Sequence, residues 1–265
     1  MSWHKTNDRG RRMFKIGLCS VTFRKLPVEE VIKAAKQAEI QGIEWGGDIH
    51  VPPGDFEQAE NVAALTEDAG MEVTSYGSYY RLGETEDASF ETILETAVKL
   101  KAPAIRVWPG RKGSDEATEA DWLTVIKDAR KIGDLSQEIG IRINLEYHGR
   151  TLTDTVESAT RLMKEINHEN VSLYWQPALF KTVEERVDSI GKVKPWLTHV
   201  HAFHWQIIDN DRVMYPFSVG VNDWKRYLAE LKKADGVRYL MMEFVKGNSV
   251  GQFMDDVRTL KGLIK

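Results

Sequence analysis

Four apolar runs decide the fold: INLEYHG (143–149), SLYWQP (172–177), THVHAFHW (198–205) and YLMMEFV (239–245). Within each run, one polar side chain interrupts or follows the apolar residues, and these side chains are Glu146, Gln176, His201 and Glu243. Short continuous apolar runs are typical of strands that are buried on both faces. Because neighbouring parallel strands of a closed barrel end at one face, we expect the four side chains to meet there.

The rest of the chain repeats a strand-then-helix pattern eight times from Phe14 onward. Apolar residues three and four positions apart predict helices at 27–41, 56–69, 89–101, 120–137, 154–166, 183–190, 223–234 and 252–264. Gly42, Gly70 and Gly140 each directly precede a strand, as a helix-ending glycine does. A long loop is expected after the seventh strand. Eight such units in 265 residues predict an α/β fold, a (β/α)8 TIM barrel with a single domain at 14–265, preceded by a disordered leader at 1–13.

Composition narrows the classes of function. Hydrophobic residues make up 42% of the chain and charged residues 29%, as in an ordinary globular protein. The net charge of -4 and the scattered basic residues argue against nucleic acid as a partner. We expect no membrane segment, because no apolar run approaches about 18 residues. Cys19 is the single cysteine, so no intrachain disulfide can form, and a cytoplasmic location is expected.

The four polar side chains at the strand ends suit one divalent metal ion. Two carboxylates, an imidazole and an amide oxygen favour Mn2+ first, with Mg2+, Co2+ or Zn2+ as alternatives. Two other interpretations stay open: Gln176 hydrogen-bonds a neighbour instead of the metal, or His199, which points the same way as His201 along a strand, is the ligand.

Residues that lie around such a metal ion are expected to bind the substrate. We predict that Trp108, His148, His204 and Lys246 do so, because they follow the fourth, fifth, seventh and eighth strands. Further aromatic residues lie near these strand ends: Trp45, Tyr76, Tyr79, Trp175, Phe203 and Trp205. Basic residues on the same loops leave a phosphorylated substrate open, and these are Arg111, Lys112, Arg150 and Lys246.

Several motifs carry a resemblance to a known family. They are the E-x-H step of Glu146 and His148, the HVH at 199–201, the VGVNDW at 219–224 and Glu243. From Phe14 to Lys265 the chain resembles the sugar phosphate isomerase/epimerase family of xylose isomerase-like TIM barrels. In that family one metal is bound by a Glu, an Asp, a His and a second Glu. The resemblance therefore implies Glu146, His201 and Glu243 as ligands, with Gln176 in place of the Asp.

The resemblance also implies a reaction. The two glutamates of the family act as catalytic acid and base as well as ligands, so Glu146 and Glu243 are expected to move a proton on carbon next to a carbonyl. The expected function is a metal-dependent isomerase or epimerase of a small keto sugar or keto polyol, with or without phosphate. A lyase or dehydratase using the same site and a non-catalytic sugar-binding barrel stay open, as does a homo-oligomeric state. An apurinic endonuclease is disfavoured, because its three-metal site needs more His and Asp than this chain with seven His offers.

Overall fold

A computed structural model describes residues 14–85, 88–237 and 239–265, and the predicted leader at 1–13 lies outside these ranges. The strands of the described residues are β1 (Lys15–Cys19), β2 (Gly42–Gly46), β3 (Glu72–Arg81), β4 (Ala104–Trp108), β5 (Arg142–Glu146), β6 (Val171–Trp175), β7 (Leu197–Ala202), β8 (Trp205–Ile208), β9 (Asp211–Met214) and β10 (Tyr239–Met242). The α-helices are α1 (Val28–Gln37), α2 (Phe56–Asp68), α3 (Phe90–Lys99), α4 (Glu119–Gln137), α5 (Val156–Ile166), α6 (Val183–Val193), α7 (Val221–Leu231) and α8 (Val250–Ile264).

Eight of these strands close into one parallel barrel, in the order β1-β10-β7-β6-β5-β4-β3-β2. The barrel closes where β1 pairs with β10 in parallel, with Leu18 opposite Met242. An α-helix follows each barrel strand in the chain. The predicted single-domain (β/α)8 barrel is therefore confirmed.

The strands bury both of their faces, as their apolar runs predict. One face packs against the helices; Trp45 of β2, for example, is fully buried and donates from Nε1 to Thr66 of α2 at 3.1 Å. The opposite face points into the barrel, and there the strands carry charged and polar side chains such as Glu44, Arg106 and His201. This alternation is what delivers polar groups to the inside of the barrel.

Two of the three glycines that were predicted to end helices do end them. Gly70 and Gly140 each have a φ of +76°, a left-handed conformation that is cheap for glycine. Gly42 was wrongly predicted, because the left-handed residue after α1 is Glu39, at a φ of 51°. Gly42 begins β2 instead, where an added Cβ would come within 2.4 Å of the Thr74 side chain. Close packing between strands is the reason for glycine there.

The predicted long loop after β7 contains an antiparallel hairpin formed by β8 and β9. Its register places Trp205 opposite Met214 and Ile208 opposite Asp211. Asp209 and Asn210 form the two-residue turn with φ values of 50° and 66°, which is the turn geometry that suits a twisted hairpin. The alternating WQIIDNDRVM segment was a usable signal for this hairpin.

Within the described residues, none of the helices has both the length and the apolar composition that crossing a bilayer requires.

Candidate active site and metal centre

The structure brings the four predicted metal ligands together around one atom, Nδ1 of His201. Oε2 of Glu243 and Oε1 of Gln176 each lie 3.2 Å from this nitrogen. Oε1 of Glu146 lies 3.5 Å from it. Four side chains that are far apart in the sequence thus point their donor atoms at a common centre.

The barrel positions each of these side chains at its carboxyl-terminal rim. Glu146 is the last residue of β5, and Gln176 and Glu243 directly follow β6 and β10. The backbone N–H of Glu243 still donates to the carbonyl of Ala202, the last residue of β7, at 3.1 Å, so the sheet geometry extends to Glu243. His201 is completely buried and the two glutamates nearly so, whereas Gln176 is half-buried.

Glu146 is held by a chain of buried charges that the sequence analysis missed. Oε2 of Glu146 accepts hydrogen bonds from Nη1 of Arg106 and, at 2.5 Å, from Nε1 of Trp108. The same guanidinium donates from Nε to Oε1 of Glu44 at 2.8 Å. Arg106 is 3% exposed and Glu44 2%, so this is a fully desolvated carboxylate–guanidinium–carboxylate arrangement.

The sequence did contain a signal for these buried charges. Glu44 and Arg106 interrupt the apolar strands GIEWG and AIRVW, and a buried charge is costly unless it is paired. The same reasoning that selected Glu146 and Glu243 applies to both.

The electrostatics of the centre follow from these contacts. Burial raises the pKa of Glu146, but the charge of Arg106 and the hydrogen bond with His201 outweigh it, so this pKa lies well below its usual range. Burial lowers the pKa of His201, but the charge of Glu243 outweighs it, and this pKa lies well above its usual range. The carboxylates around His201 thus favour the protonated form of its imidazole.

Cys19 is a further neighbour of the centre. Its sulfur, a ring nitrogen of His201 and a carboxylate oxygen of Glu243 lie within 4.8 Å of one another. Burial raises the pKa of this thiol, so it stays protonated and is a weak donor beside the other ligands. Cys19 is the last residue of β1 and therefore lies at the same rim of the barrel as the predicted ligands. A single cysteine in an apolar strand does not by itself indicate a functional role.

Two of the four predicted substrate-binding residues lie beside Glu146. Trp108 donates to Glu146, and its ring lies 5.1 Å from that of His148, between ring centroids. Nδ1 of His148 lies 2.6 Å from the carbonyl oxygen of Gly149. Tyr79 packs edge-on against Trp108 at 5.2 Å, again between centroids. The rings of Tyr79 and Trp108 also lie 5.3 and 5.9 Å from the guanidinium carbon of Arg106, between that atom and each centroid, on the Arg106 side of Glu146.

The other two predicted substrate-binding residues are His204 and Lys246. His204 is buried beneath the hairpin; its Nδ1 would lie 2.2 Å from a Cβ added to Gly220, so the ring packs directly against the start of α7. Burial lowers the pKa of His204. Lys246 is exposed, with its Nζ 5.9 Å from the centroid of the Tyr215 ring. For both, the predicted contact with substrate remains a prediction.

Other candidates have structural roles. Trp45 and Trp175 face outward, and Trp175 donates from Nε1 to Ser189 of α6 at 2.9 Å, so both belong to the core between strands and helices. His199 points into the barrel at a deeper level, with Nδ1 2.8 Å from the carbonyl oxygen of Thr198, and burial lowers its pKa to about 4. Lys112 pairs with Asp121 at 2.9 Å on the surface.

Comparison with known proteins places this geometry in a family. Residues 32–263 match the family described as xylose isomerase-like TIM barrel. The chain belongs to the xylose isomerase-like TIM barrel family.

Two relatives of this xylose isomerase-like barrel carry names of dehydratases. The chain is 26% identical over 217 residues to a 3-dehydroshikimate dehydratase of Bacillus anthracis, covering 77% of each protein. It is 32% identical over 85 residues to an inosose dehydratase of Geobacillus thermodenitrificans, which covers 32% of this chain and 28% of the relative.

Solved structures share the xylose isomerase-like fold over almost the whole chain. The probable 3-dehydroshikimate dehydratase of Bacillus anthracis superposes with a TM-score of 0.77 at 22% identity, covering 94% of this chain and 99% of its own. D-psicose 3-epimerase superposes with a TM-score of 0.71 at 14% identity, covering 94% of this chain and 98% of the epimerase. The IolI protein, solved with a zinc atom, superposes with a TM-score of 0.71 at 15% identity. The match covers 94% of this chain and 96% of the IolI chain. At these identities the likeness concerns the fold.

The donor set of this barrel fits a divalent cation. With His201 in the neutral form that can bind a metal, Glu44, Glu146 and Glu243 against the guanidinium of Arg106 leave two negative charges in a buried space, which a divalent ion would balance. Ligands about 2.1 Å from a shared metal lie about 3.0 to 3.4 Å from one another. The separations of 3.2 and 3.5 Å from Nδ1 of His201 to the other donors are close to this size. Among the described residues, the His, Cys, Asp and Glu donors that all lie within 4.8 Å of one another are those of Cys19, His201 and Glu243, a group that leaves out Glu146.

Proposed function

We propose that the protein is a divalent-metal-dependent dehydratase, a lyase that removes water from a small polyhydroxylated ketone. Glu146, Gln176, His201 and Glu243 would hold the metal, with Mn2+ the first choice. The observation that carries the proposal is the unequal environment of the two glutamates. Glu146 is fixed by two strong donors, whereas the close polar contact of Glu243 among the described residues is with His201.

This inequality bears on which glutamate moves a proton. Protonation of Glu146 would weaken its bonds with Arg106 and Trp108, so Glu146 is suited to remain a carboxylate. Glu243 can take up a proton without giving up such donors, which makes it the catalytic base. An epimerase that works with two bases needs both glutamates to exchange protons in turn. A dehydratase needs one base at carbon and one acid at the leaving hydroxyl.

These roles define the steps of the reaction. A divalent ion, when bound, supplies Lewis-acid stabilisation of the charge that develops at the carbonyl of the substrate. Glu243 takes the proton from the carbon next to that carbonyl, and the electron pair of the broken C–H bond forms a C=C bond. The C–O bond of the neighbouring hydroxyl breaks, and His148 in its protonated form gives that oxygen its proton, so that water leaves. Glu243 then returns its proton to solvent, and His148 regains one from solvent.

Similarity to two dehydratases supports the elimination reaction. The second candidate is the isomerase or epimerase that the sequence predicts. It is supported by the placement of both glutamates beside His201 and by the fold shared with D-psicose 3-epimerase. The two reactions begin with the same proton removal and differ in the next step, which is loss of a hydroxyl in one and return of a proton in the other.

One experiment separates the candidates. The purified chain with Mn2+ is incubated in D2O with 3-dehydroshikimate, inosose, 3-keto sugars and ketohexoses, and products are identified by mass spectrometry. The proposal predicts a product that has lost one water, with a conjugated C=C bond visible by ultraviolet absorption. A product of unchanged composition that carries solvent deuterium would favour the isomerase. Neither product nor deuterium uptake with any of these ketones would contradict both.

A further inference from the structure

We propose that Glu44 is a positioning residue: it orients the metal-binding side chain of Glu146 through Arg106, and its charge stabilises the proton on Nε2 of His201. The inference rests on the metal site of the proposed function. Glu44 does not border the common centre at Nδ1 of His201; it acts from below, inside the barrel.

The first contact of Glu44 fixes the guanidinium of Arg106. Oε1 of Glu44 accepts from Nε of Arg106 at 2.8 Å, and Oε2 accepts from the hydroxyl of Ser75 at 2.5 Å. The carboxylate is therefore itself held in one orientation. A guanidinium is a rigid planar fork, so fixing its Nε side also fixes the direction of Nη1.

That fixed fork sets the rotation of the Glu146 carboxylate. Nη1 of Arg106 and Nε1 of Trp108 both bind Oε2 of Glu146. Oε1 is thereby turned toward Nδ1 of His201, at 3.5 Å. Without Glu44, Arg106 would be anchored on one side only, and Glu146 would be freer to rotate away from the centre.

The second contact of Glu44 concerns the proton of His201. Nε2 of His201 is fully buried and makes no hydrogen bond to the described residues. Oε1 of Glu44 lies 4.0 Å from it. A metal bound at Nδ1 leaves the ring proton on Nε2, and the negative charge of Glu44, although beyond hydrogen-bond distance, stabilises that proton electrostatically. The sulfur of Cys19, also close to the ring, is a weak acceptor by comparison.

Both effects act on metal binding, which can be measured without any substrate. The test is titration of Mn2+ into metal-free full-length protein by calorimetry, with the wild type and Glu44→Gln. We expect Glu44→Gln to weaken Mn2+ binding by about 10-fold to 100-fold, the range found when partners of metal ligands are removed. The matched control is Glu72→Gln, which alters a partly exposed glutamate of β3 that pairs with Lys15, and we expect it to bind Mn2+ like the wild type.

A second variant guards against failure to fold. Glu44→Gln leaves Arg106 with one of its two carboxylates, so Glu44→Gln/Arg106→Gln removes the positive charge as well. We expect this double variant also to lose at least about 10-fold in Mn2+ affinity.

A spectroscopic readout separates orientation from general loosening. In Zn2+-loaded protein with 15N-labelled histidine, the nitrogen shifts report which ring nitrogen of His201 carries the proton. Zinc on Nδ1 leaves the proton on Nε2, so we expect this pattern in the wild type and, at the same Zn2+ concentration, a larger share of His201 rings with the shifts of the metal-free ring in Glu44→Gln. Unchanged Mn2+ affinity and an unchanged share of zinc-bound His201 in both variants would overturn the inference, while the metal site of the wild type would stand. A wild-type chain that binds neither ion would overturn the proposed function and this inference together.

Discussion

The two glutamates of the centre sit against very different walls of the same barrel. The wall beside Glu146 is polar, with Arg106, Glu44 and Trp108 in a hydrogen-bonded chain. The other wall is apolar: Cys19, which lies near the carboxylate of Glu243, belongs to a buried cluster with Val21, Tyr239 and Met241.

This difference teaches that residues in equivalent positions of a symmetric fold need not have equivalent roles. Donors on one wall stabilise the carboxylate form of Glu146, which suits its proposed role as a metal ligand. A carboxylate on the apolar wall has fewer competing hydrogen bonds and can exchange a proton during the reaction. Pairs of titratable groups in contrasting environments commonly divide acid and base roles in this way.

The largest expected effect is on turnover when the apolar wall loses its base. Glu243→Gln keeps an oxygen for the metal but cannot accept a proton, so we expect turnover at saturating Mn2+ to fall by about 100-fold or more. The rate of product formation measures this, and a circular dichroism spectrum like that of the wild type controls for folding. A turnover near that of the wild type would show that the base lies elsewhere.

On the polar wall, Glu146→Gln should act mainly on metal binding. The change removes one negative ligand, and we expect Mn2+ affinity to fall by about 10-fold to 100-fold. It also weakens the bond with Arg106, although Glu44 still neutralises that guanidinium, so unfolding should become easier by about 1 to 3 kcal/mol. Calorimetric titration and denaturant unfolding test the two parts. Unchanged Mn2+ affinity would remove Glu146 from the ligand set.

Acidification should release the bound metal ion. The pKa of His201 lies well above its usual range, because burial, which lowers it, is outweighed by the charge of Glu243. A proton therefore competes with the metal for Nδ1, and affinity must fall as the pH falls. We expect bound Mn2+ to decrease steadily between pH 8 and pH 4, which equilibrium dialysis can follow. Stoichiometric Mn2+ at pH 4 would contradict a ligand set that contains this imidazole.

The smallest expected effect concerns Gln176, which lies between the two glutamates and differs from the family pattern. Gln176→Asp adds a negative ligand and should tighten Mn2+ binding by about tenfold. Turnover need not rise, because a more neutralised metal polarises the carbonyl less. Gln176→Leu should weaken binding while the fold persists. Equal Mn2+ affinity in the wild type and both variants would show that Gln176 does not bind the metal.

Sequence reasoning succeeded where a local pattern carries the information. Strand-like runs and helical spacing predicted the barrel, and the strand ends predicted that Glu146, Gln176, His201 and Glu243 converge. Parallel strands made this inference simple, because their carboxyl ends share one rim.

It failed where a role depends on a partner across the barrel. Glu44 and Arg106 are 62 positions apart in the chain, and nothing in either strand indicates the other. The predicted contact of His204 with substrate stays a prediction, but the packing of its ring against the start of α7, where the chain turns into the hairpin after β7, was not predicted. The fit of a ring beside Gly220 is a tertiary property that no periodicity records.

The central claim is that Glu243 moves the proton while Glu146 holds the metal. Its most direct test is the rate of deuterium exchange from D2O into a ketone substrate, compared between Glu146→Gln and Glu243→Gln, each at saturating Mn2+. We expect Glu146→Gln to keep measurable exchange and Glu243→Gln to be slower than it by at least about tenfold. Equal loss of exchange in the two variants, or greater loss in Glu146→Gln, would contradict the claim.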